Sequence, residues 1–483
     1  MSSLNKEAAD ATEKEVLRGP GRLESMSTFR HSLGYYTAVC CTARFTRLST
    51  TSPISFPQLL YAALHEVIAQ HPPLAISIKD ELSASARFVR LSSIDLDRII
   101  HLESLPAGSD EVAQQRLMNE LIEKRLSTRF SNLGDLPLWR LVGILPHSGE
   151  DADTQVDVAL FIHHGIADGG SAVMFMQSLL TALNAASALQ RGEHPGQIVS
   201  PPKVTFLPPL EMLHPLPVSF VSLVRAIWDM WFPPSRAGLW AGGPINCPST
   251  SALQDTSSPV LQARHAIRVF PAETAISLLA ACRAHKTTLT PLLQALVARA
   301  LFASLPTDGS ANLLRSSCPI NLRPFMPEQK TTMGVFVAST EFEFKRKNAD
   351  VWKQAKRVGK SLTRVLTDMK KGKHFNVGML RYIGDVRKLF EGKDGKARGY
   401  SFEVSNTGAV DGSGEGPWRI SQLMFSQSGS ITGEALTFSV SSIRGGPMTV
   451  AASWVEGVVD EAFVDATLEK LESSVGDVCS GKL

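Results

Sequence analysis

The chain has 483 residues, 43% of them hydrophobic and 20% charged, with a formal net charge of +3. That composition excludes a disordered chain, and the length exceeds what one ordinary core serves, so two lobes are expected. The basic runs Lys345-Arg346-Lys347 and Lys370-Lys371-Gly372-Lys373 are too short to track a nucleic-acid backbone and read as solvated faces.

Residues 1–28 are polar and charged, lack the apolar stretch of a signal peptide, and are expected to be a disordered leader. A first lobe is assigned to 29–190. Its first strand covers Tyr35 to Arg47, where β-branched and aromatic residues concentrate. Apolar residues at helical spacing (Leu59, Leu60, Ala63, Leu64, Val67, Ile68) predict a helix over Phe56 to Gln70, stopped by His71-Pro72-Pro73. Short strands at Leu74 to Ile78 and Arg87 to Leu91 precede a helix over Asp110 to Arg129. Strands at Leu138 to Leu145 and Val156 to His163 then lead to a helix beginning near Ser171. Pro, Gly and Ser are dense over 191–259, which is read as the linker between lobes.

Within that linker, Val218 to Phe232 is strongly apolar between Pro217 and Pro233. It is shorter than the roughly 20 apolar residues a span requires and contains Arg225 and Asp229. A helix packed against or between the lobes is the favoured reading, with peripheral membrane contact through 217–233 as the alternative. The second lobe is assigned to 260–483. It repeats the same mixture: a strand at Arg264 to Phe270, helices at Ala272 to His285 and from Thr290, and strands at Leu313 to Ile320 and Val335 to Phe344. A long amphipathic helix over Ala349 to Met369 follows. Strands at Tyr400 to Val404, Ile420 to Ser426, Leu436 to Ser441 and Thr449 to Val455 precede a closing helix from Glu461. The class is therefore α/β. The six cysteines show no metal spacing, which predicts reduced thiols and a cytoplasmic chain, with contact to an internal membrane as the extension.

The chemistry is concentrated where an apolar strand ends in His163-His164-Gly165-Ile166-Ala167-Asp168-Gly169. A chance match to two histidines, three residues and Asp-Gly arises in about one chain of this length per thousand. A histidine near its ordinary pKa can take a proton from a hydroxyl or amine at neutral pH, so His164 at a strand end could activate a nucleophile toward an acyl group. Two satisfied structural histidines, or half of a metal site, are the other readings. Neighbours on a strand point to opposite sides, which disfavours a shared metal, and none is expected.

The stretch resembles the HHxxxDG motif of the chloramphenicol acetyltransferase-like acyltransferase superfamily. More narrowly, the chain resembles the fungal alcohol acetyltransferases. Supporting segments are Leu33-Gly34-Tyr35-Tyr36, Trp139-Arg140-Leu141, Pro319-Ile320-Asn321-Leu322-Arg323 and Val404-Ser405-Asn406-Thr407-Gly408. The DFGWG segment of the plant-type branch is absent. The resemblance implies two chloramphenicol acetyltransferase-like lobes, each a mixed sheet with flanking helices, and an active-site channel between them. It implies that His164 is the general base and that His163 is structural. Asp168 would point away from the channel and pair with Arg323, and Gly169 would permit close packing. Ser405 and Asn406 are candidate oxyanion or donor contacts. An ordinary strand-end turn explains that pair equally well.

The implied reaction moves acetyl from acetyl-CoA, or another acyl from its CoA thioester, to a small-molecule alcohol, with no bound cofactor. Transfer to an amine or amino-alcohol, and a non-catalytic acyl-ligand-binding protein, are the alternatives. Lys356, Arg357 and Lys360 are candidates for coenzyme A phosphates, although a solvated helix face accounts for them better. No nucleic-acid partner is expected, and the chain is taken as a monomer.

Overall fold

The computed structural model describes residues 14–48, 55–83, 85–106, 108–146, 155–188, 195–249, 253–254 and 258–483. In chain order, β1 (Val16–Arg18), α1 (Arg22–Ser32), β2 (Val39–Arg47), α2 (Phe56–Gln70), β3 (Ile76–Lys79), β4 (Arg87–Arg90), β5 (Ile94–Asp95), β6 (Ile100–Ser104), α3 (Glu111–Leu126), β7 (Trp139–Leu145), β8 (Gln155–Ile162) and α4 (Gly169–Ala186) form the first half. The middle carries β9 (Ile198–Val199), α5 (Leu210–Leu213) and α6 (Phe220–Trp231). The second half comprises β10 (Ala263–Phe270), α7 (Ala272–Ala284), α8 (Leu289–Ser304), β11 (Leu313–Asn321), β12 (Val337–Lys345), α9 (Val351–Lys370), α10 (Val386–Glu391), β13 (Phe402–Val410), β14 (Trp418–Gln427), β15 (Leu436–Ile443), β16 (Met448–Val455) and α11 (Glu461–Cys479).

Two mixed sheets organise these elements. One has the order β14-β2-β8-β7-β6 and the other β10-β16-β15-β13-β11-β12. The first sheet is antiparallel except for the parallel pair β6–β7. In the second, β11, β13 and β15 run parallel and the flanking pairs antiparallel. The apolar face of α2 (Leu59, Leu60, Ala63, Leu64, Val67, Ile68) is wholly buried, in one core with α4 and the first sheet. The second sheet shares its core with buried residues of α8, α9 and α11. Each core closes over a face that the helical periodicity alone prescribes.

The lobes do not follow the chain as two separate blocks. β14 belongs to the second half by position, yet it pairs with β2 along nine residues and completes the first sheet. Its Trp418 is fully buried, edge-on to Phe56 with ring centroids 5.4 Å apart, and its indole N–H donates to Ser187 Oγ at 3.2 Å. Phe425 N, farther along the strand, donates to Ser441 Oγ of β15 at 3.0 Å. One strand therefore stitches the two sheets together.

Two expectations change here. The part of the presumed disordered leader that is described, from residue 14 onward, forms β1 and α1; β1 pairs with β4, and Arg18 makes a two-point ion pair to Glu24 at 2.7 and 2.8 Å. This polar segment is ordered because charge pairing holds it and because α1 packs His31 against His163 of the motif, with ring centroids 4.3 Å apart. The apolar helix α6 is also not packed between lobes: none of its residues is buried. The surrounding 195–249 is more than a bare linker, since β9 pairs with β5 and Leu239 bridges to Leu313. Among the described residues, no helix is long and apolar enough to cross a membrane.

Candidate active site between the two sheets

β8, the central strand of the first sheet, ends at Ile162 just before the motif, and Asp168 caps the next helix. Its carboxylate accepts Ser171 N at 2.8 Å, an N-cap that satisfies one of the orphan amides of α4. The other carboxylate oxygen faces the second half of the chain. It accepts Arg323 Nη1 at 3.0 Å and Phe336 N at 2.8 Å. Arg323 also donates to Ser171 Oγ at 2.8 Å and to Thr332 O at 3.0 Å, and its guanidinium lies over the Phe336 ring. Both charged side chains are about 5% exposed. Burial alone would raise the Asp168 pKa, but the Arg323 charge and the converging donors hold it below the usual carboxylate value. Asp168 is thus a helix cap and an interlobe tie at once.

Gly169 follows because nothing larger fits: a Cβ there would sit 2.7 Å from the Phe425 ring of β14. The motif is therefore packed against the strand that joins the sheets.

The two histidines have opposite surroundings. His163 is fully buried and both its ring nitrogens are engaged. Its Nδ1 accepts Gly165 N at 2.8 Å, which leaves Nε2 to donate to Glu81 at 2.9 Å. Glu81 also accepts His31 Nδ1–H at 2.8 Å, while His31 Nε2 accepts Phe130 N at 2.9 Å. Burial opposes ionisation of Glu81, but His31 and His163 outweigh it and bring its pKa down to about 2. The ligand-type atoms of His31, Glu81 and His163 lie within 4.8 Å of one another, and this hydrogen-bond pattern accounts for the orientation of each ring.

His164 opens instead onto a cavity of about 410 Å³. Its Nδ1 is buried with no hydrogen-bond partner among the described residues beyond its own backbone, and the Tyr36 ring lies 5.6 Å away. Burial lowers its pKa to about 4, and the charge of Arg30 adds to that shift. The imidazole is therefore neutral at physiological pH, the state in which it can accept a proton.

The cavity is lined from both halves, by Arg30, Tyr36 and His164 on one side and by Ser339, Glu403 and Ser405 on the other. Tyr36 donates its hydroxyl to Gln427 Oε1 at 2.8 Å, and Gln427 Nε2 donates to Glu403 at 3.0 Å. Burial and the Glu434 carboxylate push Glu403 up to about 8. It is thus largely protonated near neutrality.

Ser405 lines the cavity, and its hydroxyl has no partner among the described residues. Asn406 does not line it: its amide N–H donates to Thr290 Oγ1 at 3.0 Å and its carbonyl accepts Gly408 N at 2.8 Å. Successive strand residues face opposite ways, so the two could not share one oxyanion. Of the phosphate candidates, Arg357 is spent on Gln354 Oε1 at 2.9 Å and Glu343 O at 2.6 Å, whereas Lys356 and Lys360 are exposed. His31, Glu81, Arg30 and Glu403 carry no signal in the sequence. None lies in a motif, and only the fold brings them to the site.

Comparisons with known proteins give the family and the fold. Residues 20–468 match the family model described as alcohol acetyltransferase. The probable alcohol acetyltransferase FCK4 of Fusarium pseudograminearum is 28% identical over 484 residues, covering 95% of this chain and 94% of that one. The probable alcohol acetyltransferase crmB of Aspergillus fumigatus is 28% identical over 471 residues, covering 92% and 96%. Among solved structures, the TRI3 trichothecene 15-O-acetyltransferase of Fusarium sporotrichioides superposes with a TM-score of 0.66 at 13% identity, over 96% of this chain and 95% of that one. The condensation domain of the polyketide synthase MokA gives 0.59 at 11%, over 96% and 98%. At these identities the structural likeness speaks for the fold, which is two-lobed and chloramphenicol acetyltransferase-like.

Removing one partner of the interlobe ion pair strands the other charge in the interior. Asp168→Ala is expected to lower unfolding stability by about 3–5 kcal/mol as well as activity. Activity lost with an unchanged urea midpoint would contradict the tie.

Acid sensitivity follows from the buried imidazoles. Burial lowers His31, His71, His164 and His265 to about 4 in the folded chain, against about 6.5 unfolded. Between those values the unfolded chain binds more protons, so stability rises with pH across that window and is lost on acidification. Four such groups, offset by Glu403, which keeps in the folded chain a proton that the unfolded chain has lost, leave a net slope that approaches roughly 4 kcal/mol per pH unit. Urea midpoints should not fall from pH 8 to 7, where protonation of Glu403 favours the folded chain, and should fall steeply from pH 6.5 to 5; a level profile to pH 5 would contradict the assigned burial.

Proposed function

The chain belongs to the alcohol acetyltransferase family and is an acyltransferase; from that premise we propose that it transfers acetyl from acetyl-CoA to an alcohol, with His164 as general base. The observation that carries this reading is the neutral, half-open imidazole of His164 in a cavity walled by both lobes. With Nδ1 enclosed, Nε2 is the nitrogen we assign to the acceptor.

The acceptor hydroxyl gives its proton to Nε2 as its oxygen attacks the thioester carbonyl. A carbon–oxygen bond forms, and the carbonyl π electrons move to oxygen. When the tetrahedral intermediate collapses, the carbon–sulfur bond breaks and the thiolate takes the proton held by His164. No covalent enzyme intermediate is required. The free hydroxyl of Ser405 is the donor we assign to the oxyanion. His163 contributes orientation: its ring is fixed by Gly165 and Glu81, which fixes the backbone from which His164 projects. Asp168 acts through the helix cap and Arg323 and makes no step of its own.

The low His164 pKa has two consequences. It keeps the base unprotonated across the neutral range, and it makes the imidazolium a strong acid toward the departing thiolate. Following coenzyme A thiol release from acetyl-CoA with a panel of alcohols and amines tests the scheme. His164→Ala should lower kcat by roughly 10²–10⁴ with the urea midpoint maintained, since the ring makes no side-chain hydrogen bond among the described residues and opens on the cavity. Unchanged turnover in that variant, or wild-type turnover with amines alone, would overturn the assignment.

A further inference from the structure

Helix α6 has an unusual relation to the rest of the molecule. It is twelve residues long, none of them is buried, and its apolar side chains face outward. Phe220 is 79% exposed, Trp231 73% and Trp228 61%. At 3.6 residues per turn, Phe220, Val224, Ile227, Trp228 and Trp231 fall on one continuous face. Arg225 and Asp229 lie on the opposite side and pair at 3.6 Å. The loop after the helix extends the apolar surface, with Phe232 against Trp228 at a centroid distance of 4.5 Å. A soluble surface does not ordinarily leave two tryptophans and two phenylalanines contiguous in water.

Two further observations say what covers this face. The first is charge. The base of α6 is docked on the turn that follows α9: Phe375 N donates to Pro217 O at 2.7 Å and Ser219 N to His374 Nδ1 at 3.3 Å. Immediately before that turn lie Lys370, Lys371 and Lys373, all exposed, with Asp368 the acidic residue among them. An aromatic-rich apolar face with lysines at its foot suits the interface of an anionic bilayer, where rings enter the headgroup boundary and ammonium groups meet lipid phosphates. The second is position. Residues 376–380 supply Asn376, Val377 and Leu380 to the wall of the His164 cavity. The same segment grips the stem of α6, since Arg381 donates to Pro215 O at 2.8 Å and Leu216 O at 2.9 Å. It then reaches the surface at Arg381 and Tyr382, both exposed. Anything that fixes α6 to a surface fixes this wall of the cavity to it.

We propose that α6 is an in-plane membrane anchor that, with Lys370, Lys371 and Lys373, seats the chain on an anionic lipid surface, so that the 376–382 wall of the cavity faces the bilayer and lipophilic acceptors enter from it. The lipid contact stands independently of the catalytic assignment. The route of the acceptor rests on the acyl-transfer reading of the cavity.

The full chain is mixed with sucrose-loaded vesicles of phosphatidylcholine alone, or of phosphatidylcholine with phosphatidylserine, and sedimented at low and high salt. Wild type should pellet with the anionic vesicles and release in high salt. The Trp228→Ser/Trp231→Ser double variant should lose at least about tenfold in partitioning, and Lys370→Gln/Lys371→Gln/Lys373→Gln a similar factor. Because the tryptophans are exposed, the double variant should keep the wild-type urea midpoint and its turnover of a water-soluble alcohol without vesicles. Its KM for a long-chain alcohol presented in vesicles should rise, with kcat retained. Wild type remaining in the supernatant, tryptophan variants pelleting like wild type, or light scattering showing a dimer that the double variant abolishes while vesicles bind nothing, would each overturn the anchor. A chain that pellets as expected but turns over no alcohol would leave the anchor standing and sink the catalytic reading.

Discussion

The buried pair of Asp168 and Arg323 is the interaction on which the architecture depends. A carboxylate and a guanidinium taken out of water each cost several kcal/mol, and their attraction repays this only when the remaining hydrogen-bonding capacity is also filled. Here it is filled from both halves of the chain. Ser171 N comes from the helix that Asp168 caps, and Phe336 N and Arg323 from beyond β11. Arg323 in turn reaches Ser171 and Thr332. The pair therefore specifies a single apposition of the two lobes, and the cavity on His164 is the space left by that apposition. β14 supplies the second tie, through backbone pairing and Trp418 in the first core.

Against that rigid frame the two histidines divide their labour. His163 sits in a relay where every nitrogen has a partner, and Glu81 stays ionised between two imidazoles. His164 has no side-chain partner for Nδ1 among the described residues, and one edge of its ring is open. Satisfied polar groups rigidify, whereas the edge of His164 that opens on the cavity is left for an acceptor. The contrast between two adjacent side chains is what separates a scaffold residue from a candidate base.

Much of the fold was legible in the sequence because burial writes itself as periodicity. α2 falls on the range its apolar spacing prescribes, and β8, α4 and α9 lie within a few residues of expectation. The motif carried His163, His164, Asp168 and Gly169, and the Asn-Leu-Arg segment carried Arg323. Three kinds of information were not local. That β14 crosses into the first sheet is a matter of tertiary pairing. Glu81 and His31 acquire meaning only when the fold brings them to His163. The outward orientation of α6 could not be told from burial, because an apolar helix reads the same whether protein or lipid covers it. Asn406 shows the limit in miniature: Ser405 and Asn406 are adjacent in sequence, yet the strand turns them to opposite faces.

The central claim is that enclosure keeps His164 neutral so that it can take the acceptor's proton. The pH dependence of kcat/KM for the free enzyme tests it most directly, measured in brief pH-jump assays that outrun acid unfolding. The expected profile is a plateau from pH 7 to about 5 and an acid limb with its midpoint near 4, where burial and Arg30 hold the imidazole. An acid limb centred near the ordinary histidine value of about 6.5, with the chain still folded, would contradict it.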